Sequence, residues 1–438
     1  MHMTARRRSP KATVLAAAAS VVCVSLLGGC GILPGEAKAG NDPITVMTWA
    51  PEGTKATNMP GMPAMAQAYA RWVNADGGIN GRRLEVITCN DHNESVSAAR
   101  CAARAVKENV VAVVGSYSQY GRSFMSPLEG AGIPYIGGYG LTDEEFTSPL
   151  SYPVNGGLPA LVAGNGRQLA AGECGRVSLV RPDTAAGDQL PNLLNAGLRD
   201  GGAAGAAPAV DVRAPEDATS YRRSAQQALE SAAEYDGTTG GSRACVTAVL
   251  GGRTDTFFDS FRRLPDEDPS IRTASVLGSV RQSLIDRTGG TDSPLEGAYA
   301  TGWYPAASDK RWDPMKNVVR EHAFGDNRID TDDPGVQTTW IAYTALRAAL
   351  RSMDDDSAVT TESVRDALDQ GDAIETGGLT PRLRWHYEDL LAAHDFPRIV
   401  NTSVTYQRVR EGRVVPVRDG FVDVEKTLEG GASTPSEA

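Results

Sequence analysis

After position 30 the chain has no apolar run long enough to cross a bilayer, which argues against a multispanning membrane protein. CxxC pairs are absent. His92, His322, His386 and His394 are scattered without metal spacing, so zinc ligation has no support and no metal site is expected. There is no GxSxG, no HExxH and no GxGxxG opening a helix. The familiar hydrolase, metalloprotease and dinucleotide signatures are therefore missing, and the chain is expected to be neither an enzyme nor a cofactor carrier. A basic surplus is also lacking. Lys and Arg together number 43 against 54 Asp and Glu, a formal charge of −11, which argues against nucleic acid or an anionic membrane surface as the main partner. The acidic run Asp354–Asp356 reads as a solvated helix end rather than a catalytic cluster.

What is present begins with the N-terminus. "ARRRSPK" supplies a positive segment and "ATVLAAAASVVCVSLLGG" an apolar one ending in small residues, the pattern of a secretory signal. Leu27, Gly28, Gly29 and Cys30 match the bacterial lipobox, with Cys30 as the lipidated residue; a plain secretory signal with a nearby cysteine is the alternative. Residues 1–29 are expected to be a lipoprotein signal peptide, and 30–41 a lipidated flexible tether. The protein is expected outside the cytoplasm of a bacterium, lipid-anchored to its cell membrane.

The remaining 400 or so residues suffice for two domains, each with its own core. "ITVMTWA" reads as a strand, "PAMAQAYARWVNADGG" as a helix stopped by Gly77-Gly78, "RRLEVITC" as a strand and "ESVSAARCAARAVKE" as a helix. "VVAVVGS" and "IPYIGGY" follow as strands. The alternation restarts at "GRVSLVRPD" and runs through "PAVDVRAP", "CVTAVLGG", "TASVLGS" and "LEGAYATGW". A long helix, "VQTTWIAYTALRAALRSM", precedes two late strand-like runs, "RIVNTSVTYQRV" and "GRVVPVRDG". Strand–helix alternation of this kind predicts an α/β protein with two doubly wound parallel sheets.

Six cysteines are present. With Cys23 in the signal and Cys30 lipidated, Cys89, Cys101, Cys174 and Cys245 remain, an even number in an oxidising compartment. Three pairings exist. Cys174 and Cys245 each precede a strand, the first and third of the second sheet, which are neighbours in a doubly wound sheet. Cys89 ends a strand and Cys101 lies on the next helix, so local pairing is favoured.

The segment "NADGGINGRRLEVITCNDH" offers calcium-like offsets at Asn74, Asp76, Asn80 and Glu85, but its sixth position is Ile79 where such a loop needs glycine. Its glycines follow a helix and precede a strand, the wrong end for a phosphate cradle. It reads as a helix stop and a tight turn. With its surroundings, and with "VVAVVGSYSQ", "GIPYIGGYGLTDEEFT", "VSLVRPDTAAGDQL" and "AVLGGRTDTFFDSFRRL" in order, it resembles the substrate-binding proteins of branched-chain amino acid-type ABC importers, of type I periplasmic-binding-protein fold. The resemblance spans most of 42–425.

It implies two α/β lobes joined by three crossover segments, near Tyr152–Asn155, Trp303–Pro305 and Leu383–His386. Lobe 1 would comprise 42–153 plus 304–384, lobe 2 154–303 plus 385–425, and 426–438 a disordered tail. A small polar or carboxylate-bearing solute would bind between the lobes and pass to an ABC permease and ATPase, the protein acting as a monomer. A lipid-tethered sensor is the alternative. The resemblance places the solute carboxylate on Ser116, Tyr117, Ser118 and Gln119 and on Gly140, Leu141 and Thr142. Trp49, Tyr120 and Tyr139 are candidate walls. In lobe 2 the family's usual acidic residue is missing from "LGSVRQS", where Ser279 and Arg281 stand; Gly252, Arg253 and Thr254 end the neighbouring strand. The two arginines point to an anionic group on the solute, and an α-amino acid is not expected.

Overall fold

The computed structural model describes residues 42–55, 57–203, 208–233, 243–265, 271–276, 280–293 and 295–431. The signal, the lipobox with Cys30, and Ser279 lie outside them.

Lobe 1 opens with β1 (Ile44–Trp49), α1 (Gly61–Ala75), β2 (Leu84–Cys89), α2 (Ser95–Lys107), β3 (Ala112–Val114), α3 (Gly121–Ala131), β4 (Tyr135–Ile136), α4 (Asp143–Thr147) and β5 (Ser151–Tyr152). Its strands are all parallel, in the order β2-β1-β3-β4-β5. The central strands are buried on both faces, as parallel sheets covered by helices require. The "DGGING" segment is a turn. Gly78 has φ 84° and a Cβ there would meet the Arg82 carbonyl oxygen at 2.1 Å, so only glycine fits. The Asn74 amide closes the turn on both backbone groups of Leu84.

Lobe 2 repeats the winding. It contains α5 (Gly157–Ala171), β6 (Cys174–Pro182), α6 (Leu190–Asp200), β7 (Val210–Ala214), α7 (Arg222–Ala233), β8 (Arg243–Ala248), α8 (Thr254–Phe261), β9 (Arg272–Val276), α9 (Gln282–Arg287) and β10 (Tyr299–Gly302). Its sheet runs β7-β6-β8-β9-β10, the same order as lobe 1. The chain then returns to lobe 1 for α10 (Asp313–His322), α11 (Pro334–Arg351) and α12 (Thr361–Asp369). Finally β11 (Ser403–Arg410) pairs antiparallel with β10, and β12 (Arg413–Pro416) and β13 (Val422–Asp423) pair with β11.

Two boundaries differ from expectation. The third crossing lies near 400–402, not at Leu383–His386. Phe396 packs edge-on against Phe146 with ring centroids 5.7 Å apart, and Arg398 N–H donates to the Phe146 carbonyl, so the chain stays on lobe 1 that far. The expected disordered tail begins too early: α13 (Glu425–Gly431) is helical, with Leu428 buried and the Thr427 hydroxyl bonded to Asp200 at 2.6 Å. The apolar side chain at 428 was the overlooked signal. Residues 432–438 lie outside the described set.

The crossings are tied together at Tyr304. Its hydroxyl accepts from Asn155 Nδ2 at 2.9 Å and shares a hydrogen with Thr338 Oγ1 at 2.9 Å. Its carbonyl accepts from Thr405 Oγ1 at 2.7 Å and Gln407 Nε2 at 3.0 Å. Asn401 Nδ2 adds a bond to the Val154 carbonyl.

Cys89 bonds to Cys101 and Cys174 to Cys245. Cys174 opens β6, whereas Cys245 is the third residue of β8 and pairs in register with Val177. The loops closed span 12 and 71 residues, for which chain entropy predicts about 3 and about 4 kcal/mol. Urea unfolding of the two double Cys→Ala variants should accordingly show the larger loss for Cys174/Cys245.

Candidate functional site

The carboxyl ends of both sheets face one cavity of about 320 Å³, within the size range of small-molecule pockets. Lobe 1 supplies Thr57 after β1, Tyr117, Gln119 and Tyr120 after β3, and Tyr139, Leu141 and Thr142 after β4. Lobe 2 supplies Leu158 and Leu161 from α5, Pro182 at the end of β6 and Thr184 after it, Glu216 after β7, Val249 to Gly251 after β8, Val276 of β9 and Trp303 after β10. Ligands of open α/β sheets gather at these strand ends because the loops there diverge and leave a crevice. Much of the wall is apolar. Tyr117 and Tyr139 meet with ring centroids 5.1 Å apart, and Tyr139 meets Trp303 at 5.1 Å, both edge to face. Burial pushes the Tyr117 and Tyr139 phenols far above their ordinary pKa, so both stay neutral donors.

The expected residues divide into two groups. Tyr117, Gln119, Tyr139, Leu141 and Thr142 line the cavity. The others do not. Trp49 is buried under the sheet, against Phe124 at 5.4 Å and Tyr135 at 6.0 Å. Ser116 is buried as well; its hydroxyl accepts from the Trp49 N–H at 3.1 Å. Ser118 Oγ accepts from the Tyr120 N–H at 3.2 Å, so both serines brace the loop rather than open onto the cavity. Thr254 accepts from the Leu250 N–H at 2.9 Å, and Gly252 faces the 51–58 loop of lobe 1.

The two arginines are engaged elsewhere. Arg281 Nη1 reaches across the lobes to Asp333, 3.0 Å away, and lies 3.8 Å from Asp330. Asp333 also caps α11, its Oδ1 accepting from the N–H groups of Gly335 and Val336 at 2.8 and 3.3 Å. Burial pushes the Asp333 carboxyl upward, against the pull of Arg281. Arg253 donates to the Lys55 carbonyl of lobe 1. Both side chains therefore clamp the lobes together.

The donors expected to hold a solute carboxylate are already occupied. Gly140 N–H donates to Glu145 Oε2 at 3.0 Å; Leu141 and Thr142 N–H donate to Oε1 at 2.9 and 3.1 Å. Glu145, 2 % exposed, stands at the third position of α4 and reaches back over its N-terminus, half of a capping box. Gly140 has φ 85°, and a Cβ there would lie 2.6 Å from Gly157 Cα. That backbone bend aims three N–H groups at one point. Burial pushes the Glu145 carboxyl above its usual range, and the N–H donors oppose the rise.

Sequence reasoning missed both Glu145 and Glu216. "TDEE", a Thr with Glu three residues on, was a readable capping signature. Glu216 was foreshadowed by the turn "PEDA" directly after a strand of the second sheet. Among the described residues lining the cavity there is no Lys, Arg or His.

The family model described as periplasmic binding protein matches residues 47–396. The chain belongs to this family. Solute binding, in general terms, is the role membership carries. No curated protein matches it in sequence. Similar solved structures include a Thermus thermophilus branched-chain amino acid ABC transporter protein with bound valine, 16% identical, with TM-score 0.67 over 88% of this chain and 97% of that one. A Rhodopseudomonas palustris solute-binding protein of an ABC transporter, in complex with 3,4-dihydroxybenzoic acid, is 15% identical, with TM-score 0.67 over 87% and 97%. A fatty acid ABC transporter substrate-binding protein of Thermomonospora curvata is 14% identical, with TM-score 0.68 over 89% and 95%. At such identities these likenesses concern the fold.

Replacing Glu145 by Ala should lower the unfolding free energy by about 1–3 kcal/mol, because three buried donors lose their acceptor. Excess formate should restore part of that loss in a melting experiment, and acetamide should not.

Proposed function

We propose that this chain is an extracytoplasmic solute-binding lipoprotein that captures a small solute between its lobes and delivers it to an ABC permease and ATPase. The observation that carries this reading is a cavity built from the strand ends of both lobes, astride a hinge of hydrogen-bonded crossings. Closing two lobes on a solute converts binding into a change of shape, which a membrane transporter reads. The transporter proteins named above, with valine or dihydroxybenzoic acid bound, support a cleft occupant of similar size. The cavity is complete within one chain, which supports a monomer.

The lipid anchor rests on Leu27 to Cys30 and the small, Pro- and Gly-bearing tether after them. A diacylglyceryl cysteine holds well, since each buried CH₂ adds about 0.8 kcal/mol. None of the described helices is long and apolar enough to cross a membrane.

Two measurements test the reading. The full chain in detergent, stripped of co-purified ligand by unfolding and refolding, should melt several degrees higher with one member of a panel of amino acids, peptides, organic acids, amines, sugars and polyamines. A ligand at 100 times its Kd adds about 2.7 kcal/mol. A panel without any shift sinks the solute-binding reading. Separately, Cys30→Ala should abolish incorporation of labelled fatty acid and move the protein out of the membrane fraction; continued labelling rules out Cys30 as the site.

A further inference from the structure

The charges around the cleft are unbalanced. A carboxylate on the solute would be held best by arginine or lysine, and the described residues lining the cavity include neither. On lobe 1 the Glu145 carboxylate fills the Gly140–Thr142 donors. On lobe 2 Arg281 is held by Asp333, and Arg253 by the Lys55 carbonyl. Conversely, Glu216 lines the cavity, and among the described lining residues there is no cation to pair with it. Among the described residues it accepts a hydrogen bond from the neutral Gln119 Nε2, at 3.4 Å, longer than a good charge-assisted contact. The charge acting on it is that of Asp217, of the same sign, and burial pushes its carboxyl pKa upward ahead of that repulsion. Tyr117 and Tyr120 stand near it and Tyr139 lines the same cavity, rings whose faces attract cations.

We propose that the cleft takes an organic amine, protonated at its nitrogen and lacking a carboxylate. Its ammonium sits on Glu216 beside Gln119, and its aliphatic or aromatic body lies against Tyr139, Leu158, Leu161 and Trp303. This rests on the solute-binding reading above and narrows it. The cavity supplies the counter-ion that a cation needs, and an apolar wall that a bare metal ion or a small polyol would leave unused. A zwitterionic amino acid would satisfy Glu216 but bring its own carboxylate against a lining that, among the described residues, holds no cation to pair with it. An acid would add a second negative charge beside Glu216.

The test is a matched set on the full chain in detergent. Phenethylamine, phenylalanine, 3-phenylpropionate and 3-phenylpropanol share a body and differ at the head; hexylamine, hexanoate and hexanol repeat the comparison with a thinner body. Calorimetric titration should show one of the two amines binding at least tenfold more tightly than its acid and alcohol partners, and phenethylamine at least tenfold more tightly than phenylalanine. Glu216→Gln should weaken that amine at least tenfold while the unliganded variant melts no lower than the wild type. Equal or tighter binding of the acid, the amino acid or the alcohol overturns the inference. So does an amine affinity indifferent to Glu216→Gln in a folded variant. If no amine binds but another member of the broad panel does, the amine inference fails and the binding-protein reading stands; if nothing binds at all, both fall together.

Discussion

The crossings between the two lobes are knotted together at one buried tyrosine. Tyr304 lies on the second crossing, yet its hydroxyl touches the first crossing at Asn155 and helix α11 of lobe 1 at Thr338, and its carbonyl touches β11 of lobe 2. All these groups are buried, and buried polar groups without partners are costly, so the set holds together as one unit. Any rotation of the lobes must pivot about this knot rather than shear through it. Beyond it, polar contacts also join the rims, Arg281 with Asp333, Arg253 with Lys55, and Gln119 with Glu216, and these must break for the walls to part.

Buried acids then decide the character of the space between those walls. A carboxylate removed from water seeks donors, and Glu145 takes the three N–H groups that converge after β4. Asp333 does the same at the start of α11 and draws Arg281 toward it. Each internal pairing removes from the cavity a group able to hold an anion. The resulting chamber has aromatic and aliphatic walls, a few hydroxyls and one carboxylate. Its chemistry is set by what the protein has already used on itself.

Much of the architecture was legible in the sequence because it rests on local signals. Runs such as "ITVMTW" and "VVAVV" can be buried only as central strands, and "NADGG" ends a helix for backbone reasons. The cysteine pairing followed from strand adjacency. The candidate site was legible only where backbone topology alone dictated position, as for Tyr117, Gln119 and the 139–142 turn. Whether a side chain faces the cavity is a tertiary matter. Ser116 and Ser118 alternate with Tyr117 and Gln119 along one loop, and they turn inward to brace it. The arginines misled for a different reason: a long cation near a cleft is drawn to the nearest carboxylate, and Asp333 lies 52 residues away in sequence.

The placement of the two disulfides has its own consequence for motion and environment. Each staples elements of one lobe, Cys89 to Cys101 and Cys174 to Cys245, and neither spans the hinge. Reducing conditions would thus loosen the individual half-shells while leaving the pivot between them untouched. The jaws are covalently reinforced, and the joint is not. Such a receptor tolerates an oxidising exterior without becoming locked, since no thiol pair exists among the described residues that could weld it shut around its cargo.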